Sequence, residues 1–204
     1  MKLKTVEFAG AIGRPGQDAP GTLPQIAFAG RSNVGKSSLI NRLLARHRKQ
    51  IARVSAQPGK TQEINFYRIR AAIDGEDDDF FLVDLPGYGF ARAPRPVRDA
   101  WRPLVERFLA NSDELLGVVQ LIDARRDPTP EDLRMVEYLG SIAMPTLFVL
   151  TKIDKLKALE RTRQMRRTVE RLGVSEEQVV QFSALTGEGR EQLLESLEYL
   201  LSGD

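Results

Sequence analysis

The chain has 204 residues, 42% of them hydrophobic, with 30 basic side chains against 28 acidic ones, a net charge of +2. That length favours a single domain with a core large enough to fold unaided, and so mild a charge is no argument for binding nucleic acid. The absence of cysteine excludes disulfides and thiolate metal sites and suits a reducing, cytoplasmic setting. No apolar run nears the roughly 20 residues of a membrane span, so no membrane association is expected.

Met1 to Thr5 include two lysines with no apolar stretch behind them, and do not read as a signal peptide. Residues 10–24 mix Gly13, Pro15, Gly16 and Pro20 with polar residues, the composition of a surface loop. Residues 1–24 are therefore set apart as an extension and loop ahead of one domain over 25–204.

The first strand is expected at Gln25–Ala29. It runs into Gly30-Arg31-Ser32-Asn33-Val34-Gly35-Lys36-Ser37, which fits G-x-x-x-x-G-K-[ST]. Small residues let the backbone wrap a phosphate with its N–H groups pointing inward, and a helix starting near Gly35 adds its positive end. Lys36 is placed to reach β- and γ-phosphates, and the Ser37 hydroxyl to bind Mg²⁺. Chance matches arise in on the order of one chain in a hundred, but this one sits between an apolar strand and an amphipathic helix (Leu39, Ile40, Leu43, Leu44), as the motif requires.

The loop Pro58-Gly59-Lys60-Thr61-Gln62 follows that helix. Thr61, beside Gly59 and Lys60, is the candidate for a second hydroxyl on Mg²⁺. Asn65–Arg70 alternates Phe66, Arg68 and Arg70 with Tyr67 and Ile69, and reaches the next strand, Phe80–Asp84, through the acidic run Glu76 to Asp79. The connection is too short for a helical crossover, so this pair is expected to be antiparallel, with Asn65–Arg70 as an edge strand blunted by its basic residues. Asp84-Leu85-Pro86-Gly87 fits D-x-x-G. That pattern is common by chance, but here Asp84 ends a buried strand at the carboxyl edge of the sheet, where ligands bind. Asp84 is read as holding a magnesium-bound water, and the Gly87 N–H as meeting the γ-phosphate.

A helix from about Val97, a strand at Gly117–Asp123, a helix from Pro130 and a strand at Thr146–Leu150 follow. Thr151-Lys152-Ile153-Asp154 comes directly after the last of these. Guanine offers two adjacent donors that one carboxylate, Asp154, can accept. Adenine offers no such pair, so ATP would leave the acid unpaired, a mismatch that discriminates by roughly 10⁴ in well-built sites. Lys152 can lay its stem across the base. A helix from Leu156 carries Arg161, Arg163, Arg166, Arg167 and Arg171, either a solvated face or a set of RNA-phosphate contacts. After the strand Val179–Phe182, the run Phe182-Ser183-Ala184 offers the Ala184 N–H to the guanine carbonyl, and a last helix starts near Gly189. Such alternation implies an α/β fold: a three-layer α/β/α arrangement around six mostly parallel strands with one antiparallel edge.

Taken together, Gly-Arg-Ser-Asn-Val-Gly-Lys-Ser-Ser through Ser38, Pro-Gly-Lys-Thr-Gln and Asp-Leu-Pro-Gly-Tyr-Gly resemble the EngB (YihA/YsxC) family of bacterial GTPases, from about Val6 to the C-terminus. The resemblance implies a Ras-like P-loop GTPase domain, GTP and Mg²⁺ binding, and a role in assembling the large ribosomal subunit on its rRNA, with a link to cell division and septation. It carries the catalytic and phosphate roles to Gly30–Ser38, Thr61, Asp84 and Gly87, and the base-reading role to Thr151–Asp154. Phe90 and Ala184 stand where many relatives have Tyr and Ser. Where Ras-like enzymes have a water-orienting glutamine this chain has Tyr88, so slow turnover is expected. Asn33 resembles the asparagine that coordinates K⁺ in related GTPases; either K⁺ there supplies the missing charge, or Asn33 only shapes the loop and the ribosome completes the site. A monomer with no DNA partner is expected. A GTP-gated switch for a division protein and an ATP-using P-loop kinase are the competing functions, and Asp154 argues against the second.

Overall fold

A strand covered on both faces has no polar side to show, and the central strands are built that way. The computed structural model of the chain describes residues 1–14, 16–44, 63–89 and 95–203, with 95–101 as backbone. The elements are β1 (Lys2–Ile12), β2 (Gln25–Gly30), α1 (Lys36–Leu43), β3 (Ile64–Ile73), β4 (Glu76–Asp84), α2 (Arg95–Asn111), β5 (Leu115–Asp123), α3 (Pro130–Ser141), β6 (Thr146–Thr151), α4 (Ala158–Leu172), β7 (Val179–Phe182) and α5 (Arg190–Ser202). The sheet order is β1-β3-β4-β2-β5-β6-β7. The five strands from β4 to β7 in that order pair in parallel, and β3 runs against both of its neighbours.

Period-two alternation divides the core between the two faces. Ile26 and Phe28 of β2, with Val119 and Leu121 of β5, pack on Leu39, Ile40 and Leu43 of α1 and on Leu193, Leu194 and Leu197 of α5. Ala27, Ala29, Val83 and Val118 point the other way, toward Leu104, Val105 and Leu109 of α2 and Leu139 of α3. Phe148 and Leu150 extend that second face to Leu172 of α4. The three-layer arrangement is therefore as expected.

Two expectations are corrected. Among the described residues the sheet has seven strands rather than six, and the antiparallel edge is β1, with β3 inside the sheet. Residues 2–12, which composition set ahead of the domain, pair along β3 from Lys2↔Ala72 to Ile12↔Ile64. The signal was hidden by irregularities between Leu3 and Thr5 and between Phe8 and Gly10. Each extra residue reverses the alternation, so Leu3 and Val6, three apart, both lean on the same core cluster. The basic residues of β3 consequently do not blunt an edge. Arg68 meets Asp79 at 2.5 Å and Arg70 meets Asp77 at 3.8 Å across the hairpin, and Lys4 of β1 also reaches Asp77.

The acidic run is likewise the start of β4, paired from Glu76↔Ile73 to Asp79↔Arg70. The turn is Asp74-Gly75, with φ of 48° and 90°, the left-handed pair that a two-residue hairpin loop needs. A Cβ on Gly75 would meet nothing within 4 Å, so only the backbone preference opposes it. Gly75→Ala is expected to cost about 1–2 kcal/mol in urea unfolding, and a neutral result would mean that the turn is not left-handed there.

Candidate functional site

The carboxyl ends of β2, β4, β5, β6 and β7 lie along one edge of the sheet, because parallel strands deliver their following loops to the same side. The loop after β2 turns through Asn33 and Gly35, with φ of 67° and 107°, and feeds α1. Within it the Val34 N–H donates to the Arg31 carbonyl at 3.1 Å. Val34 is buried in the core, so its side chain anchors the loop. Ser37 and Ser38 stand in the first turn of α1.

The segment after β4 is laid against this loop. The Leu85 N–H donates to Phe28 O at 3.1 Å, the Ser32 N–H to Tyr88 O at 2.8 Å and the Tyr88 N–H to Gly30 O at 3.3 Å, and the Ser32 hydroxyl donates to Gly87 O at 3.2 Å. A Cβ on Gly87 would lie 3.2 Å from the Ser32 backbone N, so the two loops touch at their main chains there. The Lys36 ammonium and the Asp84 carboxylate, each about one-tenth exposed, form an ion pair. Leu85 is buried in the core, and Pro86 carries the chain from it to Gly87. Gly59, Lys60 and Thr61 lie outside the described residues, as does Phe90.

The segment after β6 is tied to the phosphate-loop candidate at two points. The Thr151 hydroxyl donates to Val34 O at 2.7 Å, and the Lys152 ammonium, from a residue with φ 63°, donates to Asn33 O at 2.6 Å. The stem of Lys152 passes 3.6 Å from where a Cβ on Gly35 would sit. Ile153 is core. Asp154 accepts the Ser183 hydroxyl at 2.8 Å and lies 3.4 Å from Lys155. Burial pushes this carboxyl up, but the bonds from Ser183 and Lys155 outweigh it and hold the group below its ordinary value. Ser183 is fully buried and is itself fixed by the Thr186 N–H at 3.1 Å. Ala184 follows, partly buried against the core, and Phe182 points into the core. All four described motifs thus meet at one edge, and the Ser183 hydroxyl orients the Asp154 carboxylate.

One participant, Asp123, and the orientation of another, Tyr88, were not legible. Asp123, the last residue of β5, accepts Lys152 at 2.9 Å and Arg125 at 2.7 and 2.9 Å. No motif marks it; the only signal is an acid ending a buried strand, as Asp84 does. Tyr88 turns into the protein, where its hydroxyl donates to Asp132 of α3 at 2.8 Å and accepts from Gln120 of β5. Asp132 also closes the capping box with Thr129 at the head of α3. Burial, then the neighbouring Asp132 charge, pushes the Tyr88 phenol well above its ordinary value of 10.

Tyr88→Phe leaves Asp132 and Gln120 each short of one buried partner, so it is expected to cost about 1–3 kcal/mol in urea unfolding at neutral pH. The raised value means that the neutral phenol's contribution is complete below about pH 10 and is lost as pH climbs above it, where the unfolded tyrosine ionises first. Stability of the Phe variant is therefore expected to fall less steeply above pH 10 than that of the parent.

The model of the family described as 50S ribosome-binding GTPase matches residues 25–152. The probable GTP-binding protein EngB of Syntrophus aciditrophicus is 48% identical over 197 residues, 97% of this chain and 95% of that protein. Its counterpart in Citrifermentans bemidjiense is 44% identical over 202 residues, 99% of this chain and 90% of that protein. The crystal structure of a probable GTP-binding protein engB matches with a TM-score of 0.68 at 25% identity, over 88% of this chain and 100% of that one.

Proposed function

We propose, for a chain that belongs to the EngB family of P-loop GTPases, that its GTP cycle acts as a switch in assembly of the large ribosomal subunit. Members of that family bind GTP and hydrolyse it to GDP and phosphate, with Mg²⁺ as the usual cofactor of such enzymes. The observation that carries the residue assignments is the junction of Lys152 with Asn33 and of Thr151 with Val34, which links the base reader to the phosphate loop as one unit.

On this reading Asp154 accepts both guanine donors, the Lys152 stem covers the ring, and Ala184 donates to the guanine carbonyl. Gly30 to Ser38 wrap the phosphates, and Lys36 exchanges Asp84 for β- and γ-phosphate oxygens. That exchange frees the Asp84 carboxylate for a metal-bound water. The hard oxygens of Ser37 and Asp84 fit Mg²⁺, which takes few protein ligands and completes its shell with water and phosphate, and Thr61 supplies a further hydroxyl. Bound there, Mg²⁺ neutralises charge building on the γ-phosphate. Lys36, Thr61 and Gly87 are the groups that touch that phosphoryl during transfer.

Tyr88 has no amide and is committed to Asp132, which supports slow intrinsic turnover, well below 1 s⁻¹. K⁺ held by Asn33 is proposed to speed it. Turnover in K⁺ is expected to exceed that in Na⁺ at equal ionic strength by about tenfold or more, and equal rates would sink the K⁺ site. The arginines of α4 add less to the ribosomal reading than their number implies. Arg161 is engaged by Glu188 at 2.8 Å, and Arg167 by Asp127 at 3.0 Å.

The test is sedimentation of the purified protein with 30S and 50S particles, carrying GDP or a non-hydrolysable GTP analogue. The expected result is salt-sensitive binding to the 50S particle that depends on the analogue. Failure to bind 50S particles in either state, with GTP binding intact, would remove the ribosomal role and favour a switch on a division-site protein. The family's link to division and septation is proposed to follow from the same GTP cycle.

A further inference from the structure

We propose that Asp123 is a positioning residue for nucleotide recognition: its carboxylate, at the carboxyl end of β5, holds the Lys152 side chain across the base site. The inference rests on the assignment of Thr151–Asp154 as the base reader and adds a residue that belongs to none of the motifs.

The geometry follows from the sheet. Asp123 stands opposite Thr151 in the β5–β6 register, and the Ala124 N–H donates to Thr151 O at 3.0 Å, so the two strand ends are locked side by side. Lys152 leaves β6 with a left-handed backbone, φ 63°, which turns it away from the strand direction. Its ammonium has three donors. One goes to Asn33 O at 2.6 Å and one to Asp123 Oδ2 at 2.9 Å. A single carbonyl leaves a four-carbon side chain much of its rotamer freedom. A carbonyl on one side and a carboxylate on the other fix both ends of its arc.

Asp123 is itself held. Arg125 Nε donates to its Oδ1 at 2.9 Å and Arg125 Nη2 to its Oδ2 at 2.7 Å, a two-pronged grip, and the Arg125 N–H adds a third bond at 3.1 Å. Arg126 adds charge at 3.5 Å. The side chain is about one-tenth exposed. Burial pushes the carboxyl up, but the bonds from Arg125 and Lys152 overcome it and hold the group well below the usual carboxylate range. It is therefore charged throughout the working pH range, and it fixes Lys152 before a nucleotide arrives. Preorganisation of this kind raises affinity by lowering the ordering cost of binding.

The experiment titrates N-methylanthraniloyl-GDP, with Mg²⁺, into the parent, Asp123→Ala, Lys152→Met and the double variant, with melting temperatures measured in parallel. Asp123→Ala is expected to weaken binding about tenfold, the scale of a lost charge-assisted hydrogen bond. KM for GTP should rise by a similar factor while kcat moves less than twofold. In the Lys152→Met background the same substitution should change affinity less than twofold, because its effect runs through the ammonium. If the alanine variant does not fold, Asp123→Asn, which keeps the shape and loses the charge, carries the same cycle with an expected loss of about threefold. Binding within twofold of the parent, or an equal loss with and without Lys152, overturns the proposal. A parent that does not prefer GDP to ADP removes the base reader and this role with it, whereas a selective parent with an indifferent Asp123 variant removes the positioning role alone.

Discussion

Asp154→Asn is expected to lower GTP affinity by about 10³-fold and to make xanthosine triphosphate the preferred nucleotide. The carboxylate only accepts, and guanine presents two donors to it. Xanthine has a carbonyl where guanine has its amine, so it presents one donor and one acceptor. An asparagine in the same place accepts from the ring N–H and donates to that carbonyl, while guanine's amine is left facing an N–H. Sites that leave buried polar groups unpaired reject the wrong ligand by 10⁴ or more, and a partly open pocket somewhat less. The Ser183 hydroxyl, 2.8 Å from Oδ1, can donate equally to an amide oxygen, so the new side chain keeps its orientation. Because Asp154 is held below its ordinary value of 3.8, the parent's preference for GTP should stay flat from about pH 5 to 8 and fade only as pH falls through the acid's own titration. Competition of GTP and XTP against a fluorescent guanine nucleotide reads both effects, and a variant that still prefers GTP would overturn the assignment of Asp154.

The phosphate and base motifs were readable because each depends on a main-chain shape that few residue types permit. Gly35 and Asn33 mark a left-handed turn, Asp84 closes an apolar strand within a D-x-x-G pattern, and Asp154 lies three residues past another in a T-K-x-D pattern. Residues that serve through a partner carry no such mark. Asp123 looks like the polar end of a strand until Lys152 is seen beside it. Tyr88 reads as a substitution for a catalytic glutamine, and nothing in the order of residues says that its ring turns toward Asp132, 44 positions away.

The strand that was missed shows the same limit from the side of the fold. Period-two reasoning needs an unbroken ladder, and β1 breaks it twice. The misplaced hairpin has a different cause. Glu76 to Asp79 have the charge of a solvated turn, yet the two-residue Asp74-Gly75 pair is the stronger physical signal, because it meets a backbone requirement and the charges meet only a preference for water. Acidic residues on β4 become acceptable once the arginines of β3 lie across from them, and that pairing is a property of the register.

Gly189→Ala is expected to cost more than about 4 kcal/mol, a large share of the 5–15 kcal/mol that holds a typical domain together. Gly189 caps α5 with φ 83°, so alanine there bears the same left-handed penalty as at Gly75, about 1–2 kcal/mol. The difference lies in what the new methyl meets. At Gly189 it would fall 1.9 Å from Gln181 O and 2.9 Å from the Gln181 carbonyl carbon, backbone atoms of β7 that are held in register with Leu150 of β6. Neither the strand nor a rotamer can yield, so α5 has to move and draw Leu193, Leu194 and Leu197 out of the core. The site should fail with it. The Glu188 carbonyl accepts the Ser183 N–H at 3.0 Å and the Gly187 N–H donates to Ser183 O at 2.8 Å, so a displaced helix pulls Ser183 from Asp154. Urea unfolding of the two alanine variants side by side, with GDP binding measured on any folded Gly189→Ala protein, separates backbone preference from close approach. Equal stability of the two would mean that α5 and β7 do not pack as tightly as their main chains imply.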